Sequence, residues 1–443
     1  MTLKKHQHYK NTNIQWLGQI PQHWEVKRIK DLGLIKYGLG QPPREKEGGL
    51  PIIRATNVER GKINEKKLIY VDANDVPYNR DPVLKENDII VVRSGAYTAD
   101  SAIIPKKFEG AITGYDMVFR PIYVNPIFVS FSLLSDYLCR DQLIQASLRA
   151  AQPHLNKEEL GSGLVAVPPL SEQTAIANYL DQKTAQIDKK VALLTQKIEK
   201  YKEFKKSLIN ETVCRGLDKS VSLKPSNIAW IGDIPEHWEV KRLKDVGFLY
   251  GGLSGKGAND FNQENNINNK GFIPFVNIAN NQYIKKDHLG SVVVLEDDRQ
   301  NKVKKSDLFF LMSSESYADI GKTALLLEDI EDTYLNSFCK GFRITNRFMK
   351  PIFLNYLMSS FSFRDNLIVE GKGFTRINLK IEKINDFKAI LPPLTEQTAI
   401  AQYLDEKTHK IDQITANLSQ QIATLKELRK TLINEVVTGK VKV

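Results

Sequence analysis

The chain has 443 residues, 63 of them Lys or Arg against 52 Asp or Glu, giving a net charge of +11 and a pI near 9.2. That length suits two or three domains with ample surface to bury in each, and cations spread along the whole sequence favour a polyanionic partner. No stretch is long and apolar enough to span a bilayer, and Cys139, Cys214 and Cys339 lie too far apart for a ligand-spaced pair, so a membrane span and a cysteine-held metal are excluded and a reducing, cytoplasmic setting is expected.

A polar arm opens the chain. It carries His6-x-His8, a metal pair of low specificity in a segment expected to be disordered. The first recognisable segment is Ile14-Gln15-Trp16-Leu17-Gly18-Gln19-Ile20-Pro21-Gln22-His23-Trp24-Glu25-Val26-Lys27-Arg28. It returns as Ile228-Ala229-Trp230-Ile231-Gly232-Asp233-Ile234-Pro235-Glu236-His237-Trp238-Glu239-Val240-Lys241-Arg242, so two domains begin alike. All four tryptophans lie in these segments, where rings of that size pin a loop to a core. His23 and His237 have no matched nucleophile and read as packing residues.

The bodies that follow are only weakly similar. In the first, strands are expected at Pro51–Ala55, Leu68–Val71, Asp88–Arg93 and Met117–Arg120, and helix from Pro126 to Ser147. In the second, strands are expected at Pro274–Ile278, Val292–Leu295, Asp307–Leu311 and Gly341–Ile344, and helix from Pro351 to Ile368. Each body is therefore a mixed α/β domain.

Each body ends on the same mark, Pro168-Pro169-Leu170-Ser171-Glu172-Gln173 and Pro392-Pro393-Leu394-Thr395-Glu396-Gln397. The Pro-Pro pair keeps the backbone extended, Ser171 or Thr395 can accept from the free N–H groups of a first turn, and Glu172 or Glu396 suits the positive end of a helix. One long helix follows each mark, with a heptad seam at Ile187, Val191, Leu194, Ile198, Tyr201 and Leu208, repeated at Ile411, Thr415, Leu418, Ile422, Leu425 and Leu432. Lys205 and Arg429 interrupt the two seams at the same point, and Gly216 and Gly439 are natural stops.

A seam this narrow wants a partner helix, and the other copy supplies one. The link from Leu217 to Asn227 reaches at most roughly 36–40 Å, whereas a helix of about 43 residues is near 65 Å long. Only an antiparallel pair resolves that mismatch. The expected fold is α+β: residues 1–167 and 217–391 form two mixed α/β domains, and residues 168–216 and 392–443 form an antiparallel coiled coil that separates them, with an internal pseudo-twofold repeat. Two similar but unlike basic domains held at a fixed distance suit a duplex read at two places one to two helical turns apart. The expected target is asymmetric and interrupted.

With these motifs in view, the whole chain resembles the specificity subunit of a type I restriction-modification enzyme. The Trp-x-Gly-x-Ile-Pro-x-His-Trp openings, the Pro-Pro-Leu-[Ser/Thr]-Glu-Gln marks and the long helices each occur twice, in that family's order. The resemblance implies two target recognition domains on double-stranded DNA and a helical pair onto which two methyltransferase subunits dock. It also implies further association with ATP-driven restriction subunits, two in number, and no membrane. S-adenosylmethionine, ATP and magnesium would then belong to the partners, leaving this chain without a cofactor, a metal or a catalytic residue.

Base edges need paired donors and acceptors, and phosphates need cations. In the first body the candidates are Arg54, Thr56 and Asn57 after one strand, Arg93, Ser94 and Tyr97 at the end of another, and Gln152, His154 and Asn156 on the approach to the helix. The second body offers Asn277, Asn280 and Asn281, then Ser313, Ser314, Tyr317 and Lys322, then Lys372, Thr375 and Arg376. Matched places with mismatched chemistry are what two different readers require. Lysines 189, 190, 197, 200, 202, 205 and 206 make the first helix more basic than the second, either as a solvated face or along phosphates.

Enzymatic signals are incomplete. Gly321-Lys322-Thr323 lacks the upstream glycine of a phosphate loop, with Ser316 in its place. Asn125-Pro126-Ile127-Phe128 departs from the Asn-Pro-Pro-Tyr segment of amino-methyltransferases, and its counterpart, Lys350-Pro351-Ile352-Phe353, has no Asn. The competing reading is a coiled-coil scaffold that binds protein partners without reading DNA.

Overall fold

A computed structural model describes residues 4–148, 153–263, 265–373 and 375–443. Contacts group the chain into two compact units, one of residues up to 195 together with 419–443, the other of residues 196–418. The division cuts across both long helices, because each α/β body shares a hydrophobic core with the start of one helix and the end of the other.

In the first unit, Ser101–Ile103, Ile89–Val91, Met117–Pro121 and Gly33–Tyr37 form a four-stranded antiparallel sheet in that order. A second sheet joins Ile112–Thr113 in parallel to Glu45–Ile53, which pairs antiparallel with Ile69–Val71. The expected helix is broken: Pro126–Leu133 is α-helical, Ser135 is extended, and Asp136–Ile144 winds as a π-helix. In the second unit a five-stranded sheet runs Gly247–Gly251, Cys339–Ile344, Leu308–Leu311, Thr323–Leu326, Tyr283–Ile284. Beside it lies a three-stranded sheet of Gly290–Val293, Asn269–Ile273 and Thr333–Leu335.

The bodies differ in detail yet share a frame. Asp88 and Asp307 each precede a central strand, each is 1% exposed, and each receives a forked arginine from the neighbouring strand. Arg120 reaches Asp88 with two bonds of 2.8 Å, and Arg343 reaches Asp307 at 2.9 and 2.7 Å. A carboxylate this buried needs such a bidentate partner, so the pair ties together two inner strands of the sheet in both bodies.

One strand expectation fails. Pro274–Ile278 is not extended: the strand stops at Ile273, and Phe275–Asn280 is a short helix. Pro274 cannot donate to a ladder, and its carbonyl instead accepts from Asn277 N–H at 3.2 Å. Ile278 then turns into the core, a tertiary preference that overrides the β propensity of Phe and Val.

Each body closes on a two-stranded collar, Glu25–Arg28 with Leu164–Val167 in one and Glu239–Arg242 with Lys388–Leu391 in the other, in the same antiparallel register. The long helices leave these collars as Leu170–Arg215 and Leu394–Val437. They open one residue before Ser171 and Thr395, which therefore lie inside the first turn and are not the caps expected of them. The carbonyls of Pro169 and Pro393 accept the first ordinary helix bond, from the N–H of Gln173 or Gln397 at 3.0 Å.

Within the first unit, Asp188 pairs with Arg429 at 3.1 Å, while Ile176, Ala177 and Leu180 share a core with Ile433, Val436 and Val437. Within the second, Lys205 reaches both oxygens of Asp412 at 2.7 Å, while Val213 and Cys214 share a core with Ile400 and Leu404. In both units one helix is followed upward as the other is followed downward, so the pair is antiparallel. The seam residues are buried or half-buried between exposed neighbours. Among the described residues, no helix is long and apolar enough to cross a membrane.

Candidate nucleic-acid interface

The repeated segments converge on the helix starts. Trp24 and Trp238 are fully buried, and their indole N–H groups donate to Glu172 and Glu396 at 3.0 Å each. The other oxygen of each carboxylate meets His23 at 2.6 Å or His237 at 2.5 Å. The next residue fastens the body. Gln173 accepts from the N–H of Asn125 at 2.7 Å and donates to Pro168 O at 2.8 Å, and Gln397 accepts from Lys350 N–H and donates to Pro392 O, both at 2.7 Å. The Glu-Gln mark is thus a clamp between body and helix.

In the first body, strand ends bring Arg93, Ser94 and His154 together. Ser94 forms an antiparallel bridge with His154, whose Nε2 lies 3.1 Å from Arg93 Nη2. The guanidinium of Arg93 sits between two rings, 4.5 Å from the centre of Tyr37 and 4.4 Å from that of Tyr115. Beside it, Arg54, Thr56, Ser94, Tyr115 and Asp116 line a recess of about 200 Å³. Asp116 is buried and accepts from Arg93 N–H at 3.3 Å; that burial raises its pKa above the ordinary carboxylate value. Thr56, in the lining, and Tyr97 are exposed.

Two candidates here have other roles. Asn57 is fully buried, accepting from Arg54 N–H at 3.1 Å and donating to Asn64 O at 3.0 Å, so it shapes its loop and offers no edge to a ligand. Asn156 caps the helix Lys157–Ser162 by accepting from Glu159 N–H at 2.8 Å. Gln152 lies outside the described residues.

The second body forms two groups. Ser313–Ser314 pairs antiparallel with Ile377–Asn378, and Lys372 bridges Asn378, which gathers Ser313, Lys372, Thr375 and Arg376 at one edge. Arg376 lies over Phe338, 4.4 Å from the ring centre, with Glu315 3.5 Å from Nη2. Ser314 is buried and accepts from Ser316 N–H at 3.1 Å, whereas Tyr317 is 55% exposed. The other group is Asn277, Asn280, Asn281 and Lys322. Lys322 donates to Ala279 O at 2.8 Å and pairs with Asp319 at 2.6 Å, Asn277 donates to His288 O, and Asn281 donates to Asn277 O at 2.9 Å. Those three hold the helix in place, and Asn280 is exposed.

The stacked rings Tyr37, Tyr115 and Phe338 were not among the sequence candidates. Their signal is exposure, about two-fifths for each, which appears only once the strand ends are assembled.

The enzymatic signals resolve structurally. Lys322 is tied down as described, and Asn125 caps the helix Pro126–Leu133 by accepting from Ile127 and Phe128 N–H at 3.0 and 3.1 Å. The terminal arm is packed, contrary to expectation: His6 lies 5.9 Å from Trp24 and 5.8 Å from His23, ring centre to ring centre. His6, His23 and Glu172 place donor atoms within 4.8 Å of one another. Both carboxylate oxygens of Glu172 are already engaged, and the second unit builds the same His237–Glu396 contact, so this trio is explained as packing.

Comparison with known proteins follows the same doubling. A family model described as type I restriction modification DNA specificity domain matches twice, at residues 21–200 and 235–424. The MjaVIII specificity subunit of a type I restriction enzyme from Methanocaldococcus jannaschii is 25% identical, over 99% of this chain and 98% of its own length. The EcoKI specificity subunit of Escherichia coli K12 is 22% identical over 95% of this chain and 90% of its own. Among solved structures, a chain from a study of complex assembly and conformational transition of the type I R-M system aligns with a TM-score of 0.71 at 17% identity, covering 94% of this chain and 98% of that one. The HsdS subunit of Thermoanaerobacter tengcongensis aligns with a TM-score of 0.54 at 16% identity, covering 95% and 98%.

Proposed function

The chain belongs to the type I restriction modification DNA specificity family, and from that premise we propose that it is the non-catalytic reading subunit of such an enzyme, each α/β body recognising one half of an asymmetric, interrupted DNA target. Two methyltransferase subunits dock on the paired helices, two restriction subunits join them, and S-adenosylmethionine, ATP and magnesium are bound by those partners. One observation carries this reading. The two bodies repeat their frame, from Asp88–Arg120 and Asp307–Arg343 to the Trp-Glu clamps, while the side chains at their strand ends differ. A repeated frame with unlike tips is what reading two different half-sites demands. Docking is supported by a shallow recess at the start of the second long helix, lined by Leu394, Thr398, Ala399 and Gln402, and by Leu170, 64% exposed at the start of the first.

The test is a map of methylated adenines in the host genome with and without this gene. One gapped motif that vanishes on deletion supports the reading. An unchanged map favours the scaffold alternative. Exchange of residues 14–167 with those of a relative is expected to change one half of the motif and leave the other intact.

A further inference from the structure

Both bodies place a guanidinium over an aromatic ring at one equivalent position, its carbon 4.4 Å from the ring centre in each. The ring residue stands five places before the arginine that pairs with the buried frame aspartate: Tyr115 before Arg120, and Phe338 before Arg343. The stacked arginines come from different elements, however. Arg93 follows the central strand Ile89–Val91, whereas Arg376 lies in the segment entering Ile377–Asn378. The same stack is thus built by two routes, which inheritance of a shared loop does not explain.

From this geometry we infer that Arg93 and Arg376 are the principal base-reading residues of their bodies, and that each reads a guanine in a G·C pair through its in-plane edge. The inference rests on the proposed DNA-reading function. A stacked guanidinium keeps its plane fixed by cation–π contact, and its N–H edge points out of the stack. That fork matches the O6 and N7 acceptors of guanine in the major groove. Competing ties are light. Arg93 keeps its Nε buried without a hydrogen-bond partner and shares one Nη2 contact with the exposed His154, so the edge it would offer is that of its two Nη groups; Arg376 meets Glu315 only at 3.5 Å, with 43% of the arginine side chain and 79% of the glutamate side chain exposed. By contrast, Arg120 and Arg343 have their Nε–Nη2 forks filled by buried aspartates.

The experiment uses the complex of this chain with its methyltransferase subunits and a DNA panel in which each base pair of the mapped motif is changed singly, reading both binding and methylation. The variants are Arg93→Lys and Arg376→Lys, which keep the charge but lose the planar fork, and Tyr115→Leu and Phe338→Leu, which take one ring from the guanidinium without removing it, Arg93 keeping Tyr37. Arg93→Lys and Tyr115→Leu are expected to lower discrimination at a single G·C pair of one half-site by roughly tenfold or more and to leave the other half-site unchanged. Arg376→Lys and Phe338→Leu are expected to mirror this in the other half. Preserved discrimination at the untouched half-site reports that the variant has folded. Unchanged discrimination everywhere, or a loss spread evenly over all positions as phosphate contacts produce, would overturn the assignment. A wild-type complex with no two-part motif would instead defeat the underlying function.

Discussion

The indole of Trp24 and the carboxylate of Glu172 lie 148 residues apart in the chain and 3.0 Å apart in space, joining the opening of the first body to the first turn of the helix that ends it. Trp24 is fully buried, so removing the acceptor leaves its N–H without a partner. Glu172→Ala is expected to destabilise the first unit by about 1–3 kcal/mol in urea unfolding, and Glu172→Gln, which keeps an acceptor, by clearly less. Equal losses for the two variants would show that the bond contributes little.

Gly216 and Gly439 end the two long helices with φ of +73° and +71°. An added Cβ at Gly216 would stand 3.2 Å from Trp238 Cζ2, whereas at Gly439 it would stand 2.4 Å from Pro21 Cδ. Alanine at either site carries a left-handed strain of about 1–2 kcal/mol, and only at Gly439 must the proline loop move as well. Thermal unfolding of both variants should therefore rank Gly439→Ala as the less stable.

Asp188 receives two cations, Lys62 at 2.6 Å and Arg429 at 3.1 Å, while Asp412 at the repeated position receives, among the described residues, Lys205 alone. Exposed pairs of this kind contribute about 0–1 kcal/mol. Arg429 is the least exposed of the three cations, so Asp188→Ala is expected to cost about 1 kcal/mol and Asp412→Ala a few tenths. Screening by 1 M salt should shrink both differences.

Asp116 is held buried beneath the recess of the first body, and its raised pKa means that the folded chain binds its proton more tightly than the unfolded chain does. Its favourable contribution is therefore present in acid, below about pH 4, and is lost as pH rises through the folded-state pKa. Asp116→Asn removes this dependence. The variant should gain stability relative to the parent at pH 7–8 and lose that advantage toward pH 4, measured as the difference in urea midpoint. A pH-independent difference would show that the carboxyl group does not titrate in this range.

The doubled architecture was legible because its determinants are local and repeated. The proline pairs, the heptad seams and the tryptophan segments each announce themselves within a few residues. The link length left an antiparallel pair as the workable arrangement of the helices. What sequence did not disclose arises from assembly. Asn57 and Asn156 have the composition of ligand-facing residues, yet one is sealed in a loop and the other caps a helix, and burial and capping depend on neighbours fixed by the fold. Tyr37 and Tyr115 sit on different strands that meet only in the sheet, so nothing in their spacing reveals that Arg93 lies between them. Pro274 is the instructive miss: the β-rich run after it became helix because Ile278 turns into a core that only the fold assembles.

The first unit is discontinuous, and its amino-terminal arm is stitched to the far end of the second long helix: Lys442 N–H donates to Lys4 O at 2.8 Å, and the Tyr9 hydroxyl to Gly439 O at 3.2 Å. During synthesis, then, the core built on residues up to 195 must wait for residues 419–443, while the other unit has all its residues once position 418 has emerged. The ribosome delivers the two bodies in one order, and their cores are completed in the reverse.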